Sequence, residues 1–243
     1  MSGTYSSKTK DISRRLAGDM ESMFMSISDL KKDEVFYTVY RNLEVVGGKI
    51  KYDVTEMPAG NVADPSSSAG GEFRKTFGHY HKNELPEIYE VLEGHAYFLL
   101  QSFNEEPATI TEVYLVEALK GEKVIIPPKF GHLAINIGRS ELVLANWMGL
   151  SEYDYEPYKK YHGGCYYVLD KGASIEFEKN KNYSHVPELK KLKLKKNLPE
   201  LGLEKDNPKP ILDLKNTPGK MDWLINPEKY KDLLTIENLY REI

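Results

Sequence analysis

Two histidines one residue apart, His79 and His81 in Gly78-His79-Tyr80-His81, open a stretch whose side chains could close around a cation. Glu87 follows six residues after His81, and Gly94 seven after Glu87. One more histidine, His132, comes from a second segment running from Gly121 through Pro127 to Asn136. Three neutral imidazoles and one carboxylate are a recurrent ligand set for a divalent transition metal. In six-coordination such a set leaves two positions open, and open positions serve substrate or water rather than structure. The expected cofactor is one divalent ion on His79, His81, Glu87 and His132. Mixed nitrogen and oxygen ligands suit iron, taken first, and also Mn, Ni, Co or Zn.

Those ligands need strands to aim them. Residues two apart on a strand share a face, so His79 and His81 project together with Tyr80 turned away. Lys82 to Pro86 reads as a polar turn, and Glu87 starts the next strand. Short β-rich runs recur at Val35–Tyr40, Lys49–Thr55, Glu87–Leu92, Ala96–Gln101, Ile110–Leu115, Lys123–Ile126 and Glu141–Trp147. Gly47-Gly48, Pro58-Ala59-Gly60, Glu93-Gly94, Gly121 and Asn136-Ile137-Gly138 punctuate them as turns. Many short strands at this spacing mean an antiparallel sandwich or small barrel. The Ser- and Gly-rich stretch from Gly60 to Gly71 is expected to be a flexible lid ahead of the histidines.

The flanks differ. Ile12, Leu16, Met20, Met23 and Phe24 fall at helix-like spacing broken by Gly18, which predicts a helical or partly helical stretch over Asp11–Leu30 within an N-terminal arm of residues 1–34. The barrel is expected over 35–185. From Val186 the composition shifts to Lys, Leu and Pro, and five prolines between Pro199 and Pro227 forbid one long helix. Leu212, Leu214, Trp223, Leu224, Leu233, Leu234 and Leu239 predict that this extension, 186–243, docks on something. The lysine run at Lys190 to Lys196 is expected to be a solvated face.

With 243 residues, 40 % apolar and 29 % charged, the chain reads as a soluble globular protein. A net charge of −4 offers no electrostatic attraction to nucleic acid or an anionic membrane. The single cysteine, Cys165, excludes an intrachain disulfide and fits a reducing compartment. No run of eighteen apolar residues and no apolar leader occur, so the expected location is the cytoplasm.

The paired segments resemble the two motifs of the cupin superfamily, whose fold is a small antiparallel jelly-roll β-barrel. The resemblance narrows further. Arg14-Arg15-Leu16 with Asp19-Met20-Glu21, Tyr37-x-Val39-Tyr40, Thr76-x-Gly78-His79-x-His81-Lys82, Glu87-x-Tyr89, Pro127-Pro128 and His132-x3-Asn136-Ile137-Gly138 resemble the cupin-type glucose-6-phosphate isomerases. The likeness runs from about Asp11 to Gly172. It implies an all-β cupin barrel and a metal-dependent aldose–ketose isomerase interconverting glucose 6-phosphate and fructose 6-phosphate. It carries the metal ligands onto His79, His81, Glu87 and His132. It carries phosphate and sugar contacts onto Tyr37, Thr55, Thr76, Gly78, Tyr89 and Tyr155. Tyr153 stands where the family has a histidine, and Trp147 near where it has a tyrosine; both positions are expected beside the substrate. Glu87 and Tyr89 are the expected catalytic residues.

Moving a hydrogen between C1 and C2 of a sugar needs a polarised carbonyl, which a divalent ion supplies. Glu87 is the nearest carboxylate for a base, and Tyr89 is placed to relay protons between sugar oxygens; a hydride shift would need no base. Of the cations beside Thr76, alternation turns at most one of Arg74 and Lys75 inward. Two other classes fit the same ligands: a dioxygenase, against which Thr76-x-Gly78 speaks, and a sugar-binding module without turnover. Cupins commonly pair through their sheets, so a homodimer is expected, with the arm as the segment that reaches across.

Overall fold

The computed structural model describes residues 5–25, 31–63, 71–205 and 208–243. In chain order the elements are β1 (Ile12–Leu16), α1 (Ala17–Met20), β2 (Val35–Val46), β3 (Ile50–Met57), β4 (Asn61–Ala63), β5 (Gly71–Phe73) and β6 (Tyr80–His81). There follow β7 (Glu87–Glu93), β8 (His95–Phe103), β9 (Ile110–Leu119), β10 (Lys123–Ile126), β11 (Gly131–Asn136), β12 (Leu142–Gly149), β13 (Tyr153–Asp154) and α2 (Glu156–Lys160). Last come β14 (Tyr166–Asp170), β15 (Ile175–Lys179), β16 (Lys190–Leu194), α3 (Ile236–Leu239) and β17 (Tyr240–Glu242). Four short 3₁₀ turns lie between Pro199 and Tyr230, as the prolines require. Among the described residues no helix is long and apolar enough to cross a membrane.

Two sheets make the jelly roll that the cupin resemblance implies. One has the order β1-β2-β3-β12-β7-β10, the other β11-β8-β9-β16-β17. They face each other across part of a continuous buried cluster, in which Val91, Phe98, Leu100 and Val116 are fully buried. The alternation of each strand decides what faces inward. In the first sheet Asp53, Asn146 and Tyr89 stand opposite one another across β3, β12 and β7. Their neighbours Tyr52, Trp147 and Ile88 turn to the other face.

That other face is not left to water; the C-terminal extension covers it. Trp147 Nε1 donates to the Ile211 carbonyl at 2.7 Å, and the Ile211 N–H donates to Glu90 Oε2 at 2.7 Å. Trp223, Leu224 and Leu214 from the extension are buried. Both faces of β3 and β12 are therefore dry, and every residue of both strands is buried. The docking read from the extension's leucines holds. Its lysine run is a strand: β16 pairs in parallel with β9 and antiparallel with β17, Leu192 buried and Lys190 and Lys191 exposed.

The arm is helical only in part. Ile12–Leu16 is the edge strand β1, paired with β2 from Ile12↔Tyr40 to Leu16↔Val35, and among the described residues of the arm helix is confined to α1 and a 3₁₀ turn at Glu21–Met23. The unpaired edge of β2 offers a row of N–H and C=O groups, and satisfying it outweighs an apolar spacing that only weakly favours helix. Trp147 also departs from its expected place: it lies on the outer face, 4.9 Å from the Tyr52 ring, and its neighbour Asn146 faces the site. The expected lid resolves into β4 at one end and the start of β5 at the other, while 64–70 lie outside the described residues.

Candidate metal centre

The two histidine segments are hydrogen-bonded neighbours. Residues 74–79 run antiparallel beside β11: Asn136 N–H donates to the Arg74 carbonyl, Thr76 N–H to that of Ala134, and His79 and His132 exchange backbone bonds of 3.2 and 3.0 Å. This exchange places the His79 and His132 rings 4.5 Å apart. Gly78 makes the approach possible. It sits at φ +82°, and a Cβ there would lie 2.6 Å from the Tyr158 ring. Glu87 arrives at the start of β7, paired with Met148 of β12.

One ring nitrogen each of His79 and His81 and a carboxylate oxygen of Glu87 form a group whose ligand atoms lie within 4.8 Å of one another. Glu87 Oε2 is 3.3 Å from His81 Nε2 and 3.2 Å from His132 Nε2. His79 Nε2, His81 Nε2 and Glu87 Oε2 are buried and have no hydrogen-bond partner. Buried polar atoms without partners are costly, so three of them converging on one point call for a group that satisfies them together. A divalent cation does so. These three donors fit such an ion; His132, the fourth expected ligand, stands outside the group, its Nε2 3.2 Å from Glu87 Oε2 and 3.1 Å from Tyr89 Oη.

The surrounding bonds fix how these atoms present themselves. His81 Nδ1 lies 2.6 Å from the Leu85 carbonyl; a carbonyl only accepts, so Nδ1 carries the proton and Nε2 offers its lone pair. Asn146 Nδ2 donates to Glu87 Oε1 at 2.6 Å, leaving Oε2 for the centre. Burial, then the proximity of His132 and His81, holds His79 well below the usual imidazole value, and burial lowers His132 also. Burial pushes Glu87 up, but the contacts with His132 and His81 outweigh it and hold its carboxyl well below the usual range. Neutral imidazoles and an ionised carboxylate are the forms that bind metal. Tyr89 Oη lies 3.1 Å from His132 Nε2; burial, then the charge of Glu87, keeps its hydroxyl protonated.

One pocket brings together the expected residues Tyr37, Thr55, Thr76, Gly78, Tyr89, Tyr153 and Tyr155 with His79, Glu87 and His132. Tyr37 Oη accepts from the Phe77 N–H at 3.4 Å, and Thr76 Oγ1 from the Ala134 N–H at 2.9 Å. Neither Arg74 nor Lys75 lines it: Arg74 pairs with Glu34, and Lys75 with Glu72. Arg41, Asp53 and Asn146 line the pocket as well, and sequence reasoning missed all three. Strand alternation could have found the first two, since Arg41 follows Tyr37 and Val39 on one face and Asp53 precedes Thr55 on another. Arg15 of β1 lies 4.9 Å over the Phe77 ring and 5.8 Å from that of Tyr155, so the arm reaches the pocket's rim.

Comparison with known proteins agrees with the motifs. A family model described as glucose-6-phosphate isomerase matches residues 10–187. A Rhizobium meliloti (strain 1021) protein, whose name assigns that activity provisionally, is 32 % identical over 174 residues, 70 % of this chain and 74 % of its own. A glucose-6-phosphate isomerase of Sinorhizobium medicae (strain WSM419) is 29 % identical over the same shares. Among solved structures, Lactobacillus farciminis oxalate decarboxylase superposes with a TM-score of 0.35 at 16 % identity, covering 52 % of this chain and 31 % of that one. A likeness that distant says nothing about activity. The family match spans most of the arm and all four ligand candidates, and the chain belongs to the glucose-6-phosphate isomerase family.

Proposed function

We propose that this isomerase interconverts glucose 6-phosphate and fructose 6-phosphate with one divalent metal ion held by His79, His81, Glu87 and His132. The observation that carries this reading is the convergence of unpartnered buried atoms from His79, His81 and Glu87 on a single point. Iron is the first expectation for the ion, with Mn, Co, Ni and Zn compatible with the same ligands. When bound, the ion supplies Lewis-acid polarisation of the sugar carbonyl and electrostatic stabilisation of developing negative charge.

The chain's own residues do the rest. Tyr89 keeps its proton beside His132 and serves sugar oxygens as donor and relay. Glu87, with Oε1 tied to Asn146, is the carboxylate nearest the reacting carbons and the one we assign to moving the proton between them. Thr55, Thr76, the Gly78 N–H and the hydroxyls of Tyr37 and Tyr155 bind the sugar and its phosphate. Arg41 adds the positive charge that a phosphate dianion needs and that the threonines and tyrosines lack. We place the enzyme in the cytoplasm as a homodimer; size-exclusion chromatography giving a monomer would remove the dimer.

The test is conversion of fructose 6-phosphate by the purified protein before and after a chelator, with metals restored singly. Loss to the chelator and recovery with Fe, Mn, Co or Ni is the expected result. Activity indifferent to the chelator would overturn the metal's part. A folded protein that binds metal yet never isomerises would favour a dioxygenase or a binding module.

A further inference from the structure

Two cations, Lys51 and Arg41, converge on the hydroxyl of Tyr153, and both also contact Asp53. Lys51 and Asp53 stand two apart on β3, so they share the inward face. Lys51 Nζ donates to Asp53 Oδ2 at 2.7 Å and to Tyr153 Oη at 3.1 Å. Arg41 from β2 reaches the same two atoms, Asp53 Oδ2 at 3.4 Å and Tyr153 Oη at 3.5 Å, while its Nε donates to Ser13 Oγ of β1 at 3.1 Å. Asp53 Oδ1 accepts from the Asn42 N–H at 2.8 Å. Lys51 is 7 % exposed and Asp53 1 %.

A phenol oxygen has two acceptor sites and one proton to give. Here the acceptor sites face two cations, and the remaining contact is Met148 Sδ at 3.1 Å, a weak acceptor. The proton is thus available to any better acceptor. Donation from charged groups into the oxygen polarises the O–H and strengthens its own donation onward. Two cations against one aspartate leave a net positive charge behind the hydroxyl. The ring's address is also fixed: it packs 4.3 Å from the His79 ring, and its backbone pairs with His81. The hydroxyl is therefore held in register with the metal ligands by the β13–β6 ladder and by the charged group.

We propose that Tyr153 is the hydrogen-bond donor to the sugar oxygen that gains negative charge during isomerisation, and that Lys51 is the positioning residue which, with Arg41 and Asp53, aims and polarises it. This rests on the isomerase reading of the site. A donor matched to charge that exists only in the transition state acts on kcat more than on KM.

Four variants test it in metal-replete protein: Tyr153→Phe, Lys51→Met, Lys51→Arg and the double Lys51→Met/Tyr153→Phe. Tyr153→Phe is expected to lower kcat on the order of 100-fold with little change in KM. Lys51→Met should fall similarly, Lys51→Arg should recover much of the loss, and the double variant should be no worse than Tyr153→Phe alone. Metal affinity measured by calorimetry should stay at the wild-type value throughout. Additive losses in the double variant would overturn the proposal, because Lys51 would then act independently of Tyr153. A loss traced to weaker metal binding or a lowered melting temperature would overturn it equally. Should Lys51→Met fail to fold, Tyr153→Phe still decides: unchanged kcat sinks the proposal. Wild type and all variants turning over alike removes this inference alone, whereas a wild type inactive with every metal removes the isomerase reading and this with it.

Discussion

Replacing Asn146 with leucine perturbs the centre without touching a ligand. Asn146 Nδ2 lies 2.6 Å from Glu87 Oε1, and the two residues are 5 % and 1 % exposed. Leucine keeps the side chain's shape and removes the donor. A hydrogen bond to a charged group contributes about 1.5–3 kcal/mol. By a separate route, loss of a partner that orients a metal ligand costs about 10- to 100-fold in affinity, which is about 1.4–2.7 kcal/mol at 1.36 kcal/mol per decade. The two routes agree, so the metal Kd of Asn146→Leu should rise by about 10- to 100-fold. The physical reason is that Oε1, no longer held, lets the carboxylate turn, and Oε2 loses its aim at the point it shares with His81 and His132. Titrating metal-free wild type and variant with cobalt(II), followed by absorbance and calorimetry at one pH and ionic strength, measures the change. Circular dichroism checks that both are folded. Equal affinities would refute the reasoning, because Glu87 would then be held in place by its backbone and its histidines alone.

Three further outcomes follow from the packing. Lys75→Met should lose about 3–5 kcal/mol in urea denaturation, because Glu72 stays buried with only the Met25 N–H as donor; adding Glu72→Gln should recover part, and no loss would show that this pair does not clamp the arm. Trp223→Ala, fully buried in the extension, should cost about 3–5 kcal/mol, or about 6–20 °C in melting temperature; an unchanged melt would mean the extension does not stabilise the barrel. Burial pushes Glu122 up, but Lys193 at 2.5 Å and the Leu119 N–H outweigh it and lower its folded value. Stability from this link is present above the unfolded carboxylate value and lost as pH falls through the folded one. Glu122→Gln should therefore flatten the acid limb of the stability curve, by no more than about 1 kcal/mol for so exposed a pair; an acid limb identical to wild type would remove the link.

Much of the site was legible because its signal is local. The His79-x-His81 spacing needs only locally extended backbone, which β6 supplies over Tyr80–His81 with His79 bridged to His132 just before it. Glu87 and Tyr89 are two apart on β7 and both face the pocket, as alternation requires. His132 was legible through its motif, but why it meets His79 was not: the backbone exchange between residues 79 and 132 is a long-range pairing that no local pattern encodes. Trp147 was misplaced and Asn146 overlooked for one shared reason. Every residue of β12 is buried, so the run Leu142–Gly149 lacks the polar–apolar alternation that would mark which face is which. A single asparagine in such a run was the available clue. A buried amide must find partners, and in this chain its partner is a metal-ligand candidate.

The arm and the extension were harder for a different reason. Each is shaped by a surface that the rest of the chain provides. Ile12–Leu16 becomes a strand because β2 has an edge to fill, and filling it carries Arg15 to within 4.9 Å of the Phe77 ring and Ser13 to Arg41. The extension's leucines have no single period because they fit the outer face of a sheet, with Trp147 and Glu90 as its polar anchors. That face is the reverse side of the strands that hold Asp53, Asn146 and Tyr89. Covering it makes β3 and β12 dry on both faces, and strands dry on both faces cannot slip by one residue without burying Asp53 where Tyr52 now packs and turning Tyr52 into the site. The extension lies almost wholly beyond the matched residues 10–187, yet through Trp147 and Glu90 it locks the register of the strands that carry Asp53, Asn146 and Tyr89.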